Sequence, residues 1–248
     1  TKDTNPTYGS IQKLQTRDSD LVAYCEDRVL RVLANKDALF NADGNTNLVS
    51  TDRVLGNVKP FVGEYGISKN PESFATDSYR SYFTDASKGA VLRLSGDGLT
   101  PISDIGMKDW FSDNLPEFKG PFQKLIGSFD DKKEEYNLTF ASSALWHGLP
   151  MIMQPTFIPG YNKTISYSEP SKGWVSFKSF IQQNGFSING SYYTFGGGEL
   201  YKHHSNELRN RFYGFFTEST VDVLLNDLPG TVKSFSTLNY EGSQSRIT

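Results

Sequence analysis

The residues of this 248-residue chain best equipped for chemistry are a histidine pair, Lys202-His203-His204, and five carboxylates, Asp85, Asp97, Asp130, Asp131 and Glu169. Two imidazoles ligate a metal only if they converge on one point. Consecutive residues of a strand face opposite ways, so His203 and His204 do not share an ion, and the pair reads as a surface strand end. Paired carboxylates about 5 to 10 Å apart are the machinery of glycoside hydrolysis. Each of these five sits in a polar turn between apolar runs, where it reads as outward-facing and solvated, and no His, Arg or Tyr constellation is tied to them. No catalytic, cofactor-binding or metal-binding residue is assigned.

Weaker motifs fall to simpler readings. Asn41-Ala-Asp-Gly-Asn-Thr-Asn47 alternates oxygen ligands around a glycine but has no closing bidentate glutamate, so it reads as a turn. Gly196-Gly-Gly198 is not followed by a Lys-Ser/Thr pair opening a helix, and reads as a hairpin turn between strands rather than a phosphate cradle. The glycosylation sequons at Asn137, Asn162 and Asn189 carry no weight without a secretory signal.

Composition bounds the function classes. A net charge of -3 provides no basic field for phosphate backbones, which argues against sequence-specific nucleic-acid binding. One cysteine, Cys25, permits neither an internal disulfide nor a cysteine-rich metal framework. No apolar run approaches a membrane span, and the polar N-terminal residues lack the pattern of a signal peptide. Because the chain begins with Thr1 rather than Met, residues 1–248 read as a single β domain within a longer protein.

The elements that would position these residues are strands. Aromatic residues make up 14% of the chain and glycine numbers 22, a mix that favours strands joined by tight turns. Residues 82–103, YFTDASKGAVLRLSGDGLTPIS, read as strand, turn, strand, turn, strand. Phe129–Phe140 and Ile165–Phe177 share its pattern of aromatic residue, acidic turn with lysine, and alternating strand; Leu21–Leu33 and Phe212–Leu225 are weaker copies. Asp85, Asp130 and Glu169, taken as equivalent, lie 45 and 39 residues apart, the spacing of a four-stranded propeller blade. Further turns are expected at 35–40, 96–99 and 196–201. The expected fold is all-β, a β-propeller-like array of about five antiparallel sheets with one short inserted helix over Ile105–Asn114, ended by Pro116. The breaks 40–47, 66–73 and 155–162 read as surface loops. The three tryptophans, Trp110, Trp146 and Trp174, read mostly as sheet core.

Three stretches carry a resemblance: Phe61–Ala75 (FVGEYGISKNPESFA), Gly89–Ser103 (GAVLRLSGDGLTPIS) and Lys233–Gly242 (KSFSTLNYEG). They resemble large virion structural proteins of tailed bacteriophages, above all the tail muzzle or nozzle type of short-tailed crAss-like phages. The resemblance implies a propeller-like module of a larger tail protein, located in the virion. Several copies, contacting other tail proteins, would form a ring or sleeve around the DNA exit channel. An acidic wall suits such a channel, since it adds no phosphate-binding energy. The family carries no catalytic residues to transfer and implies no cofactor. The loops 66–73 and 105–114 are the expected contact sites, through Trp110, Phe111, Ile67 and Lys69. The competing expectations are a carbohydrate- or receptor-binding propeller and, after it, a glycosidase.

Overall fold

Short runs of alternating apolar and polar residues, ended by Gly, Asn or Asp, form strands that bury one face and turn back on themselves. The computed structural model describes residues 3–40, 46–119, 123–142, 162–223 and 229–237, and in it such runs give 17 strands. They build five antiparallel sheets, none closed on itself. The first sheet is β1 (Ile11–Arg17), β2 (Asp20–Cys25), β3 (Val29–Phe40) and β4 (Thr46–Pro60). The second is β5 (Ala75–Thr76), β6 (Ser81–Asp85), β7 (Ala90–Ser95) and β8 (Gly98–Pro101). Helix α1 (Lys108–Asn114) precedes the third sheet, β9 (Gln123–Asp130), β10 (Glu135–Ser142), β11 (Lys163–Ser168) and β12 (Gly173–Lys178). A three-stranded fourth sheet, β13 (Asn184–Ile188), β14 (Ser191–Gly196) and β15 (Glu199–Lys202), and a hairpin, β16 (Arg211–Phe212) with β17 (Phe215–Phe216), complete the series. Every sheet is a meander, with strands side by side in chain order. The chain divides into two units, Thr1–Thr217 and Glu218–Thr248, and the second has no strand or helix among its described residues.

The sheets are joined by apolar faces. Val22, Tyr24 and Val29 of the first sheet pack with Phe83, Leu92 and Leu94 of the second. The other face of the second sheet gives Tyr82 and Val91 to a cluster with Phe129, Tyr136, Leu138, Phe140 and Tyr167 of the third, which Phe111, Leu115 and Phe118 close from the α1 segment. The Tyr82 ring stacks nearly parallel to Phe129 and Tyr136, at 5.4 and 5.0 Å between centroids. Five tyrosines, Tyr24, Tyr82, Tyr136, Tyr167 and Tyr192, are fully buried.

Where first strands abut, glycine is required. A Cβ on Gly127 of β9 would lie 1.9 Å from the Ser73 carbonyl oxygen, and one on Gly185 of β13 would lie 2.8 Å from the Ser128 Cβ of β9. The first strand of the third sheet thus lies against the backbone just before β5, and that of the fourth sheet lies against β9.

The second sheet follows the sequence reading of residues 82–103 strand for strand, but the assumed repeat does not hold. Asp85 ends β6, the second strand of its sheet; Asp130 ends β9, the first strand of the third sheet; Glu169 follows β11, the third strand of that same sheet. The three turns are not equivalent, because a meander offers the same acidic turn at every reversal. The 39-residue offset spans the long connection between β10 and β11, not a step from sheet to sheet. Residues 35–40, expected to turn, continue β3, and after the short β16–β17 hairpin residues 217–223 are not in strands. The expected helix is shorter at its start, beginning at Lys108, and a 3-10 turn holding Pro116 follows it. The segment 66–73 is not a surface loop: Ile67, Ser68, Asn70 and Ser73 are buried. Residues 41–45 and 155–161, together with Trp146 and His147, lie outside the described residues.

Gly127→Ala is expected to lower stability by about 3 kcal/mol, because the obstructing atom is backbone and cannot rotate away. Gly96→Ala, where an added methyl meets nothing within 4 Å, should stay within about 0.5 kcal/mol of the parent. Urea denaturation of the two variants checks the contrast.

Candidate functional site

The first strands of four sheets surround one hollow of about 810 Å³. Gln12 and Lys13 of β1, Thr76 of β5, Gly127 and Ser128 of β9, and Asn184 and Ser187 of β13 contribute to its wall. Its charged residues are Lys13, Glu72, Asp77 and Asp131, so the lining is acidic on balance. Lys13 holds its ammonium 5.2 Å above the Phe74 ring, and Glu72 pairs with Lys124. Partial burial pushes the Asp131 carboxyl above its usual range, and the nearby charges of Asp130 and Asp77 add to that.

Asp131 apart, the turn carboxylates lie outside this hollow, and three of the five are not solvated. Asp85 and Asp130 are 1% exposed and Glu169 is 8% exposed, whereas Asp97 and Asp131 face solvent. Burial of a carboxylate is tolerated only when donors replace water, and each of the three has them. Asp85 accepts from the Ser68 hydroxyl at 2.8 Å and from the Gly66 and Lys88 amides at 3.1 Å each, fastening the buried segment 66–73 to the β6–β7 turn. Asp130 accepts from the Lys132 amide at 3.0 Å and lies 2.6 Å from His204 Nε2, tying the third sheet to the residues after β15. Glu169 accepts from the Tyr82 hydroxyl at 2.7 Å and from Arg93 at 3.1 Å, with Arg80 at 3.5 Å, and so clips the third sheet to the second. Burial, reinforced by the Glu169 carboxylate, raises the Tyr82 hydroxyl well above its ordinary range, so it remains a proton donor. All three carboxylates are thus occupied, Asp130 and Glu169 in ties to a neighbouring sheet or the residues after it and Asp85 in holding the segment 66–73.

His203 and His204 have different partners, Thr194 and Asp130, but not through strand alternation, since neither lies in a strand. They are not a strand end: β15 stops at Lys202, and the pair lies in the turn that follows it. His203 shares a hydrogen bond with Thr194 at 2.7 Å and sits against the rings of Phe180 and Tyr192. Burial, with a smaller effect from His204, pushes its pKa down from 6.5 to about 4. Gln182, fully buried, joins the same sheets by accepting from Ser128 at 2.7 Å and from Tyr192 at 3.2 Å. Among the described residues no three His, Cys, Asp or Glu side chains gather as a metal site, and no helix is long and apolar enough to cross a membrane. Gly197 and Gly198 form the β14–β15 turn.

The four expected contact residues separate by burial. Ile67 and Phe111 have no exposed surface: Ile67 belongs to the core between the first and second sheets, Phe111 to that between the second and third. They support their segments from beneath and offer no area to a partner. Trp110 is half-buried, edge-on to Phe111, Phe140 and Phe177, with the Lys163 ammonium 5.0 Å over its ring. Lys69 is exposed, 3.9 Å from Glu26. Sequence reasoning missed Arg80, Arg93 and Gln182. The available signal was an arginine inside the apolar run Ala90–Ser95, since a charge among buried strand residues needs a partner.

A series of antiparallel meanders whose buried carboxylates serve to join sheets has the construction of a structural scaffold. Residues 1–197 match the model of the Crassvirus muzzle protein family, and the chain belongs to that family. The match includes the stretches 61–75 and 89–103 that carried the resemblance, while 233–242 lies beyond it. No curated protein matches the chain. The family places the chain in the phage virion tail, in a structural role.

Replacing Glu169 by Ala strands two arginines and a buried hydroxyl, and should cost about 2 kcal/mol, reduced from the fully buried case because both arginines reach solvent. Asp97→Ala should be neutral to about 0.5 kcal/mol in the same denaturation assay. The depressed pKa of His203 makes stability pH-dependent. The unfolded chain binds a proton near pH 6.5 and the folded chain near pH 4, so stability is held above pH 6.5 and lost as pH falls between these values. His203→Gln should flatten this part of a Tm-against-pH profile.

Proposed function

We propose that the chain forms part of an oligomeric ring or sleeve around the DNA exit channel of the virion tail, as one module of a longer muzzle protein. Its sheets follow one another around the hollow in a propeller-like manner. The observation that carries the reading is that the first three meanders pack face to face and four sheets turn their first strands to one shared hollow. That build is rigid, repeats readily by rotation, and leaves edges and loops free for neighbours. The chain performs no catalytic step in this reading. The acidic lining and the net charge of -3 favour a wall past which DNA moves without sticking. Trp110 and Lys69 are the members of the expected contact set with surface to offer other tail proteins or another copy.

A carbohydrate- or receptor-binding propeller is the competing reading, and the polar lining of the hollow is what favours it. Electron microscopy of purified virions decides between the two. The scaffold reading expects rotationally related copies of this fold around the tail axis. A single copy per particle, or glycan-array binding together with a copy placed away from the channel, would overturn it.

A further inference from the structure

One face of the third sheet is buried although it is polar. Asn137 and Thr139 of β10 and Thr164 and Ser166 of β11 have no exposed surface, and the pairings Asn137↔Ser166 and Thr139↔Thr164 set them side by side. Lys178, the last residue of β12, pairs with Thr164, which puts its side chain on the same face. That side chain crosses β11 to reach β10. There its ammonium pairs with Glu135 and donates to Asn137 Oδ1 at 3.0 Å. The Lys178 and Glu135 side chains are only 11% and 13% exposed, whereas a lysine at the end of an outer strand ordinarily keeps its head in water.

A nucleophile, an electrophile and a proton carrier therefore meet in one dry place. Burial pulls the pKa of Lys178 below its ordinary value, an effect that the Glu135 contact opposes and the Lys133 charge reinforces. A desolvated lysine is the form that attacks carbonyl carbon. The Asn137 carbonyl is polarised by two donors, the Ser166 hydroxyl at 2.6 Å and Lys178 itself. Asn137 Nδ2, by contrast, is buried with no hydrogen-bond partner. Such a donor carries a desolvation penalty that ends when the nitrogen departs.

We propose that Lys178 and Asn137 join in an intramolecular isopeptide bond, with Glu135 carrying the protons. The Lys178 ammonium gives one proton to Glu135, and the Nζ lone pair attacks Asn137 Cγ. Negative charge develops on Oδ1, where the Ser166 hydroxyl already donates. Glu135 passes its proton to Nδ2 and takes a second one from Nζ. The Cγ–Nδ2 bond breaks, its electron pair leaves with the nitrogen, and the nitrogen takes up the second proton and departs as ammonium. One C–N bond replaces another, so no oxidant or cofactor is consumed, and the step occurs once per chain. The product ties β10 to β12 across β11, between residues 41 positions apart. It constrains the unfolded chain as a disulfide would, in a chain whose one cysteine permits no internal disulfide.

Tryptic digestion of the purified, folded full chain, followed by mass spectrometry, tests the proposal. In the parent, residues 134–163 and 173–202 should run as one linked species, lighter than the two peptides together by one ammonia, because trypsin does not cut after an acylated lysine. Lys178→Arg keeps a cation beside Glu135 and should release 134–163 unlinked, with the strand content unchanged by circular dichroism. Glu135→Gln should slow the appearance of the linked species after refolding at least about a hundredfold. An unlinked 134–163 peptide from folded parent protein would overturn the proposal, as would a link on that peptide that persists in Lys178→Arg. Linkage in Glu135→Gln at the parent rate would overturn the proton-carrying role of Glu135.

Discussion

The rest of the structure depends on how closely one sheet can approach the next at its first strand. Gly127 and Gly185 remove the Cβ atoms that would otherwise hold β9 off the Ser73 backbone and β13 off β9. That clearance lets large rings pack behind it. Tyr82 can stack against Phe129 and Tyr136, and the Tyr136 hydroxyl can donate to the Ser73 carbonyl at 2.7 Å. Were the first strands forced apart by even a methyl group, the aromatic layers would lose the dispersion contacts that fall off within an ångström. The hollow at the first strands and the dense core farther out are two results of the same approach.

Polar groups complete the joints between sheets. A core rich in tyrosine must find acceptors for its hydroxyls, and a turn carboxylate beside a neighbouring sheet must find donors. The fold meets both needs with the same contacts. Glu169 accepts from the Tyr82 hydroxyl and pairs with two arginines, and Ser128 and Gln182 satisfy Tyr192. Each contact adds modest net stability, but breaking one leaves a buried group unpaired, which fixes which sheet faces which. The same saturation leaves these three carboxylates without a free role in acid–base chemistry.

Much of the local structure was legible in the sequence, and most of the sheet-to-sheet arrangement was not. The alternation of residues 82–101 and the Asp-Gly and Lys-Gly turns declare β6 to β8, because strand period and turn conformation are local properties. The three acidic turns look alike for the same local reason, yet Asp130 and Glu169 belong to one sheet because a long connection separates β10 from β11. Burial of Asp85 and of the segment 66–73 depends on what lies against them, and a turn that faces solvent has the same composition as one that faces a neighbouring sheet. Ile67 and Phe111 lie in segments that read as surface loops, but their apolar character draws them into this chain's own core.

If close approach at the first strands governs the fold, the sheets of the first unit should not open one at a time. Native-state hydrogen exchange under increasing denaturant measures this directly, through the amides of Ala23 in β2, Phe83 in β6, Leu138 in β10 and Tyr192 in β14. The account predicts that these four amides converge on one opening free energy, close to that of global unfolding. A fourth or first sheet that exchanges through its own opening, several kcal/mol below the others, would contradict it.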